Sequence, residues 1–273
     1  VKFSGNFSNK RTFKLIMKKI LYIVSTLQRS GPTSQLFNII KNLNRDMYDP
    51  YLITLSPETS DSRWSDFKRI GVNMQSLGLT RFYGFILARK KLNKIFKKIN
   101  PSLIHSQGAR ADVFSAGLPG TGQPKICSVR NFPQLDYKME YGVFLGWYLT
   151  LTQAKAFRTI DLCCCVSNAV EENLQKEFGL KNTKTVRNGV DNLFFTKPSP
   201  NEKKRARESL SLPVDSIIWL SSIGKDSRKN SDFIVKEFIS FLDDNLNHIL
   251  VFIGDGTLRE ICEDLSSHSS QVF

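Results

Sequence analysis

Several residues in this sequence are of types, and at positions, that suit the binding of anions. Arg228-Lys229-Asn230 stands directly before an apolar helical run, so two cations meet the partly positive amino end of a helix. A solvated basic helix start is the plainer alternative. Ser30-Gly31-Pro32 opens another helix after a short β-rich run, and glycine lets a backbone come close to a ligand; an ordinary strand-to-helix turn has the same appearance. Gly254 follows an apolar run in Ile253-Gly-Asp-Gly256. His105, in Ile104-His-Ser-Gln-Gly, is expected at the carboxyl-end edge of a strand, either as a catalytic group or hydrogen-bonded inside the loop. Arg130 suits negative charge on a phosphate or another substrate, but it holds its proton at neutral pH and cannot be a base. Asn131, Asp136 and Tyr137 follow it, as pocket residues or as plain surface loop.

Charge is unevenly spread around these groups. The chain has 273 residues and a formal net charge of +14. Residues 1–189 hold 29 Lys+Arg against 12 Asp+Glu, net +17, while residues 190–273 hold 10 against 13, net −3. An anionic partner for the first part follows, and nucleic acid, anionic lipid and a phosphorylated substrate all satisfy it. Against nucleic acid, the aromatics fall at core-periodic positions rather than among the basic clusters, so no specific nucleic-acid partner is expected.

The elements that would position these residues alternate between strand and helix. Apolar β-rich runs are expected as strands at Ile20–Ser25, Tyr51–Leu55, Val72–Met74, Ser102–Ser106, Lys125–Val129, Leu162–Val166 and Thr183–Val186. Between them lie helices from Gly31, over Arg63–Ile70, over Phe85–Ile99, over Ala111–Gly117, over Tyr141–Thr159, and one capped by Asn168 with Glu171 completing a capping box. The apolar stretch Tyr141–Leu151 is too short to span a bilayer and reads as a core helix. Such alternation argues a doubly wound parallel sheet with its ligand beyond the strands' carboxyl ends.

The pattern breaks at a Pro-rich, charged linker and then restarts. The division expected is an upstream, disordered extension over 1–16, a first Rossmann-like domain over 17–195, a linker and short helix over 196–212, and part of a second such domain over 213–273. Its strands would be Ile217–Ser221 and Ile249–Ile253, its helices Ser231–Leu242 and Leu258–Leu265, with one more strand beginning at the end. Five cysteines, three of them in the apolar run Ile160–Val166, read as small buried hydrophobes in a reducing cytoplasm rather than as disulfides or zinc ligands. Phe85–Ile99 gathers Phe85, Leu92, Ile95, Phe96 and Ile99 on one side amid lysines, which suits either core packing or an anionic membrane surface.

In this order the motifs resemble those of the bacterial family 4 glycosyltransferases. Val166-Ser-Asn-Ala-Val followed by Val186-Arg-Asn-Gly-Val-Asp is similar to that family's VSxxV…NGVD hallmark. Arg228-Lys229-Asn230 resembles its RKN segment, Ile253-Gly-Asp-Gly-Thr-Leu-Arg-Glu its GxGPxRxxL turn, and Ser30-Gly31-Pro32 stands at its glycine loop. Ser128–Tyr137 followed by Tyr141-Gly142 resembles a segment of capsule and lipopolysaccharide transferases. The likeness runs from about residue 17 to the end.

The resemblance implies a GT-B fold and retaining transfer of a sugar from a nucleotide-diphosphate sugar to a glycan or lipid-linked acceptor of a surface polysaccharide. No metal or other cofactor is implied, and no DxD motif occurs. Gly31, Lys225, Arg228, Lys229 and Gly254 would hold donor phosphates, where charge grows as the glycosidic bond breaks. His105 and Arg130 would be catalytic-site residues, with Asn131, Asp136 and Tyr137 on the acceptor side. The location implied is cytoplasmic, peripheral on the inner membrane face through Phe85–Ile99.

The sequence also departs from the family. Lys225 would substitute for an arginine, the first loop has one glycine where two are usual, and Arg130 stands where many relatives have histidine. The E-x7-E donor-sugar segment is expected beyond Phe273, so a truncated chain of impaired activity is anticipated. A non-catalytic basic fragment binding a membrane surface or nucleic acid is the alternative.

Overall fold

A computed structural model describes residues 17–80, 84–119, 122–222, 230–242 and 247–254. They fall into two units, one ending at Asp191 and one beginning at Asn192. Unit 1 runs β1 (Lys18–Val24), α1 (Gly31–Lys41), β2 (Tyr48–Thr54), α2 (Trp64–Arg69), β3 (Asn73–Ser76), α3 (Gly84–Ile99) and β4 (Leu103–Gln107). It continues through α4 (Ala109–Ala116), β5 (Lys125–Val129), α5 (Pro133–Thr159), β6 (Leu162–Cys165), α6 (Asn168–Phe178) and β7 (Thr183–Thr185). The seven strands lie in the order β3-β2-β1-β4-β5-β6-β7, and every neighbouring pair is parallel.

A parallel sheet covered by helices on both faces buries successive side chains on opposite sides. In β1, Leu21 and Ile23 join a core with Leu92 and Phe96 of α3 and Phe114 of α4. Ile20, Tyr22 and Val24 join the opposite core with Leu36 and Ile40 of α1 and Phe67 of α2. Leu92, Ile95, Phe96 and Ile99 of α3 are therefore spent on the sheet, Phe85 lies outside the described side chains, and the outer face carries exposed Lys90, Lys91, Lys94, Lys97 and Lys98. Cys127, Cys163 and Cys165 pack as small hydrophobes against Phe157 and Leu174.

Two expectations are corrected. Ser167, not Asn168, caps α6: its side chain accepts from the Val170 N–H, while Glu171 accepts instead from the Thr183 and Thr185 hydroxyls of β7. The second concerns α5, which begins at Pro133 and bends at Gly142, where φ 78 and ψ 177 suit glycine almost alone. A Cβ on Gly146 would lie 2.5 Å from the Tyr137 carbonyl oxygen, and the Thr150 hydroxyl lies 3.4 Å from the Pro133 carbonyl oxygen. These pairings run antiparallel, so α5 is a hairpin of two helical arms. The inner face of the second arm is small or polar (Gly146, Thr150, Gln153 and Ala154), and Val143, Phe144, Leu145, Trp147, Tyr148 and Leu151 are exposed on the outside. That stretch is not a core helix, because the arms meet through Gly146, where a Cβ would already touch the Tyr137 backbone, and its large side chains face away from that contact.

Unit 2 holds α7 (Pro200–Ser209), β8 (Ile217–Ser222), α8 (Ser231–Leu242) and β9 (His248–Ile253). The two strands are parallel neighbours, and Val235, Phe238 and Leu242 of α8 pack on Leu250. The helix and strand expected after Gly254 lie outside the described residues.

Candidate functional site

In unit 1 the strand order reverses between β1 and β4, the place where an open parallel sheet forms a crevice at its carboxyl edge. Val24 at the end of β1 is level with Gln107 at the end of β4. The segment after β1 is held from both sides. Leu27 N–H donates to Glu58, which also accepts from Ser62, and Thr33 donates its hydroxyl to the Gln28 carbonyl oxygen.

Ser30 caps α1 by accepting the Thr33 N–H. With Pro32 lacking an N–H, Gly31 supplies the first-turn donor that neither capping nor proline removes. Nothing lies within 4 Å of where a Cβ on Gly31 would stand, so the space beside it is open. The Asn188–Asp191 motif reaches the same helix: Gln35 donates to the Gly189 carbonyl oxygen at 3.0 Å, and Lys41 pairs with Asp191 at 3.4 Å.

Arg130 follows β5 and reaches across the edge of the sheet, donating to Gln107 Oε1 at 3.0 Å. Two buried donors in this pair, Arg130 Nε and Gln107 Nε2, have no hydrogen-bond partner among the described residues. Unpaired buried donors are costly, and each is a place where a ligand oxygen could supply the missing partner. Burial lowers the Arg130 pKa from its usual value, yet the neighbouring Asp112 opposes that and the group stays cationic. Beside it, Asn131 donates to Asp136 at 2.6 Å and closes the loop leading into α5.

His105 is not at the edge. It sits mid-strand in β4, buried, sharing a 2.8 Å hydrogen bond with the Ser128 hydroxyl and lying 5.4 Å from the Tyr22 ring. Burial, helped by the Arg130 charge, pushes its pKa down to about 4, so it is neutral at neutral pH. It supports the site from below rather than lining it, which corrects the expected placement. Tyr137 is likewise buried between the arms of α5, donating to Gln153 Oε1 at 2.6 Å. Gln153 in turn donates to Asp112, which also accepts from Ser106. Asp112 is fully buried, and desolvation raises its pKa to about 7.

Gln107, Arg110 and Asp112 escape a reading by spacing. Arg110 donates to the Ser56 hydroxyl at 2.6 Å and ties the start of α4 to the end of β2. The one signal available was position: all three lie in or just after Gln107-Gly-Ala-Arg-Ala-Asp, at the carboxyl end of a buried strand.

In unit 2, Gly254 leaves β9 with φ 137, and Asn230 enters α8 with φ 51. Lys225, Arg228 and Lys229 lie outside the described residues. Among the described residues no cluster of His, Cys, Asp or Glu is arranged to hold a metal, and no helix is long and apolar enough to cross a membrane.

A doubly wound sheet with an open glycine turn and unpaired donors at its switch point is a Rossmann-like, GT-B-type architecture. Residues 29–192 match the family described as Glycosyltransferase Family 4, and the chain belongs to that family. No protein of curated function matches the sequence. Among solved structures, Anabaena HepE, crystallised with UDP and glucose, shares 16% identity at a TM-score of 0.67, over 93% of this chain and 68% of its own. Sucrose-phosphate synthase from Thermosynechococcus elongatus shares 14% at 0.72, over 94% and 70%. The UDP-GlcNAc 2-epimerase of Neisseria meningitidis, bound to UDP-GlcNAc, shares 11% at 0.58, over 93% and 71%. At these identities the likeness is one of fold.

Proposed function

We propose that this protein transfers a sugar from a nucleotide-diphosphate sugar to a glycan or lipid-linked acceptor of surface-polysaccharide synthesis, with retention and without a metal. One observation carries the reading: Arg130 and Gln107 present unpaired, buried donors at the switch point of a family 4 domain. Departure of the diphosphate leaves negative charge on oxygen, and preorganised donors stabilise that charge more than they stabilise the intact donor. Arg130 Nε and Gln107 Nε2 suit this role, or hold the acceptor against it.

Gly31 would admit a phosphate to the amino end of α1, and Asn131 with Asp136 would border the acceptor. Lys225, Arg228, Lys229 and Gly254 are proposed as the donor-phosphate contacts of unit 2. HepE and the epimerase were crystallised with UDP or a UDP-sugar, which supports a nucleotide-sugar donor.

The test is nucleoside diphosphate release from a panel of UDP-, GDP- and ADP-sugars, with and without glycolipid acceptors. Acceptor-dependent release, lost in Lys229→Ala, is expected. The epimerase likeness supports a second reading, in which the donor sugar is isomerised with no acceptor present. Isomerised donor, or no turnover of any nucleotide sugar, overturns the transfer reading.

A further inference from the structure

The outward face of the α5 hairpin is the largest feature the transfer reading leaves unused. Phe144, Trp147, Tyr148 and Leu151 repeat at helical spacing on the second arm, and all are exposed, Phe144 by 91%. Met139, Val143 and Leu145, also exposed, cluster around the turn at Gly142. Large apolar patches on a folded surface mark a partner, because exposing them to water otherwise costs stability and solubility.

The geometry of the hairpin says where this face points. The arm Val143–Thr159 spans roughly 25 Å at about 1.5 Å per residue, whereas β5 spans roughly 16 Å at about 3.3 Å per residue. The arm's lower end is level with the start of β5, since Asp161 N–H donates to the Lys125 carbonyl oxygen. Its tip therefore stands roughly 8 Å beyond the carboxyl edge of the sheet, on the side of Arg130 and Gln107.

Charge identifies the partner. The apolar stripe continues down the same side of the arm as exposed Lys155 and Arg158, one and two turns past Leu151. Lys155 and Arg89 line one cavity of about 380 Å³ between α3, α4 and α5, which joins the stripe to the lysine-covered face of α3. On the first arm Lys138 is exposed; Glu140 is the exposed acid, and Asp136 is taken by Asn131. Aromatic rings at a protruding tip, with cations behind them, match an interface of acyl chains below anionic headgroups. Trp and Tyr are the residues that favour that boundary.

We infer that the outer face of the α5 hairpin lies along the interfacial layer of an anionic bilayer, its aromatic tip at the acyl-chain boundary and Lys155, Arg158 and the α3 lysines against the headgroups. This replaces the apolar side of α3, which the sheet covers, as the membrane-facing element. It also holds the carboxyl-edge crevice close to the surface on which a lipid-linked acceptor would lie. The inference does not depend on transfer, because binding to lipid is read with no nucleotide present.

The experiment is flotation of the whole chain with phosphatidylcholine vesicles, with and without phosphatidylglycerol. Wild type is expected to float with the anionic vesicles and to be released by salt. The double variant Phe144→Ser/Trp147→Ser is expected to lose about tenfold or more in partitioning, with an unchanged melting temperature, since both side chains are exposed. Lys155→Glu/Arg158→Glu should lose the preference for phosphatidylglycerol. Absence of binding to anionic vesicles, or a serine variant that floats like wild type, overturns the inference. So does a lower melting temperature for the serine variant, which would mean that the chain itself covers this face. A wild-type dimer in sedimentation equilibrium that the serine variant dissociates would assign the face to a second copy instead.

Discussion

In β1 of unit 1, Leu21 and Ile23 face one helix layer, Tyr22 and Val24 face the other, and all four are buried. In β8 of unit 2, Ile217, Trp219 and Leu220 are exposed among the described residues, although the run is just as apolar. The two strands obey the same rule, since a parallel strand reads as a continuous apolar run only because both its faces are meant to be covered. Unit 1 has helices on both sides of its sheet. Among the described residues of unit 2, α8 covers one side, and the buried residues of its core are Val235, Phe238, Leu242 and Leu250. An apolar run thus states what a strand needs, not whether the need is met.

The contrast can be broken at several points. Hydrogen exchange on the whole chain should show the amides of β1 and β4 protected at least about a hundredfold more than those of β8 and β9, because opening tracks the apolar area that must be exposed. Equal protection would mean that β8 is covered after all. Within unit 1, Gly146→Val should cost about 3 kcal/mol or more in chemical denaturation, since its Cβ would meet backbone at 2.5 Å. Gly31→Ala, with open space at that position, should stay within about 0.5 kcal/mol.

Asp112 tests the same core through pH. Its folded pKa, about 7, lies above the usual carboxylate value, so the folded state holds a proton that the unfolded state releases. The stability this contributes is present at acid pH and is lost as pH rises towards 7. Thermal melts of wild type and Asp112→Asn between acid and neutral pH should converge or cross as that contribution disappears, the variant being the flatter of the two; parallel curves would refute the assignment. A modest effect is expected in unit 2, where Ser199→Ala removes the reciprocal bonds with Glu202 that cap α7, at a cost of about 1 kcal/mol.

Much of the sheet was legible because buried parallel strands announce themselves as short apolar runs: the strand Lys125–Val129 matches to the residue, as does the helix Ser231–Leu242, whose apolar residues recur at helical spacing. The hairpin was not. Tyr141–Leu151 carries a burial signal, and only the conformation of Gly142 and the contact at Gly146 turn that run outward. The cap of α6 was misread by one residue because Ser167 and Asn168 are both good caps, and the backbone decides between them. At the candidate site, Gly31, Arg130, Asn131 and Asp136 do stand at the carboxyl edge. The pairing of Arg130 with Gln107 joins residues on different strands, and no local pattern encodes it. His105 and Tyr137 were placed too near the surface for the same reason: their partners, Ser128 and Gln153, are met only through the fold.

If Arg130 and Gln107 receive an oxygen of a phosphorylated substrate, as proposed, a nucleoside diphosphate must bind the protein and lose affinity when the guanidinium is removed. Titration calorimetry of UDP, GDP and ADP against wild type and Arg130→Ala addresses it most directly. One of these diphosphates is expected to bind wild type and to bind the variant about tenfold or more weakly, as loss of a charge-assisted hydrogen bond requires. Equal affinities for the two proteins, or no binding of any diphosphate to wild type, would contradict it.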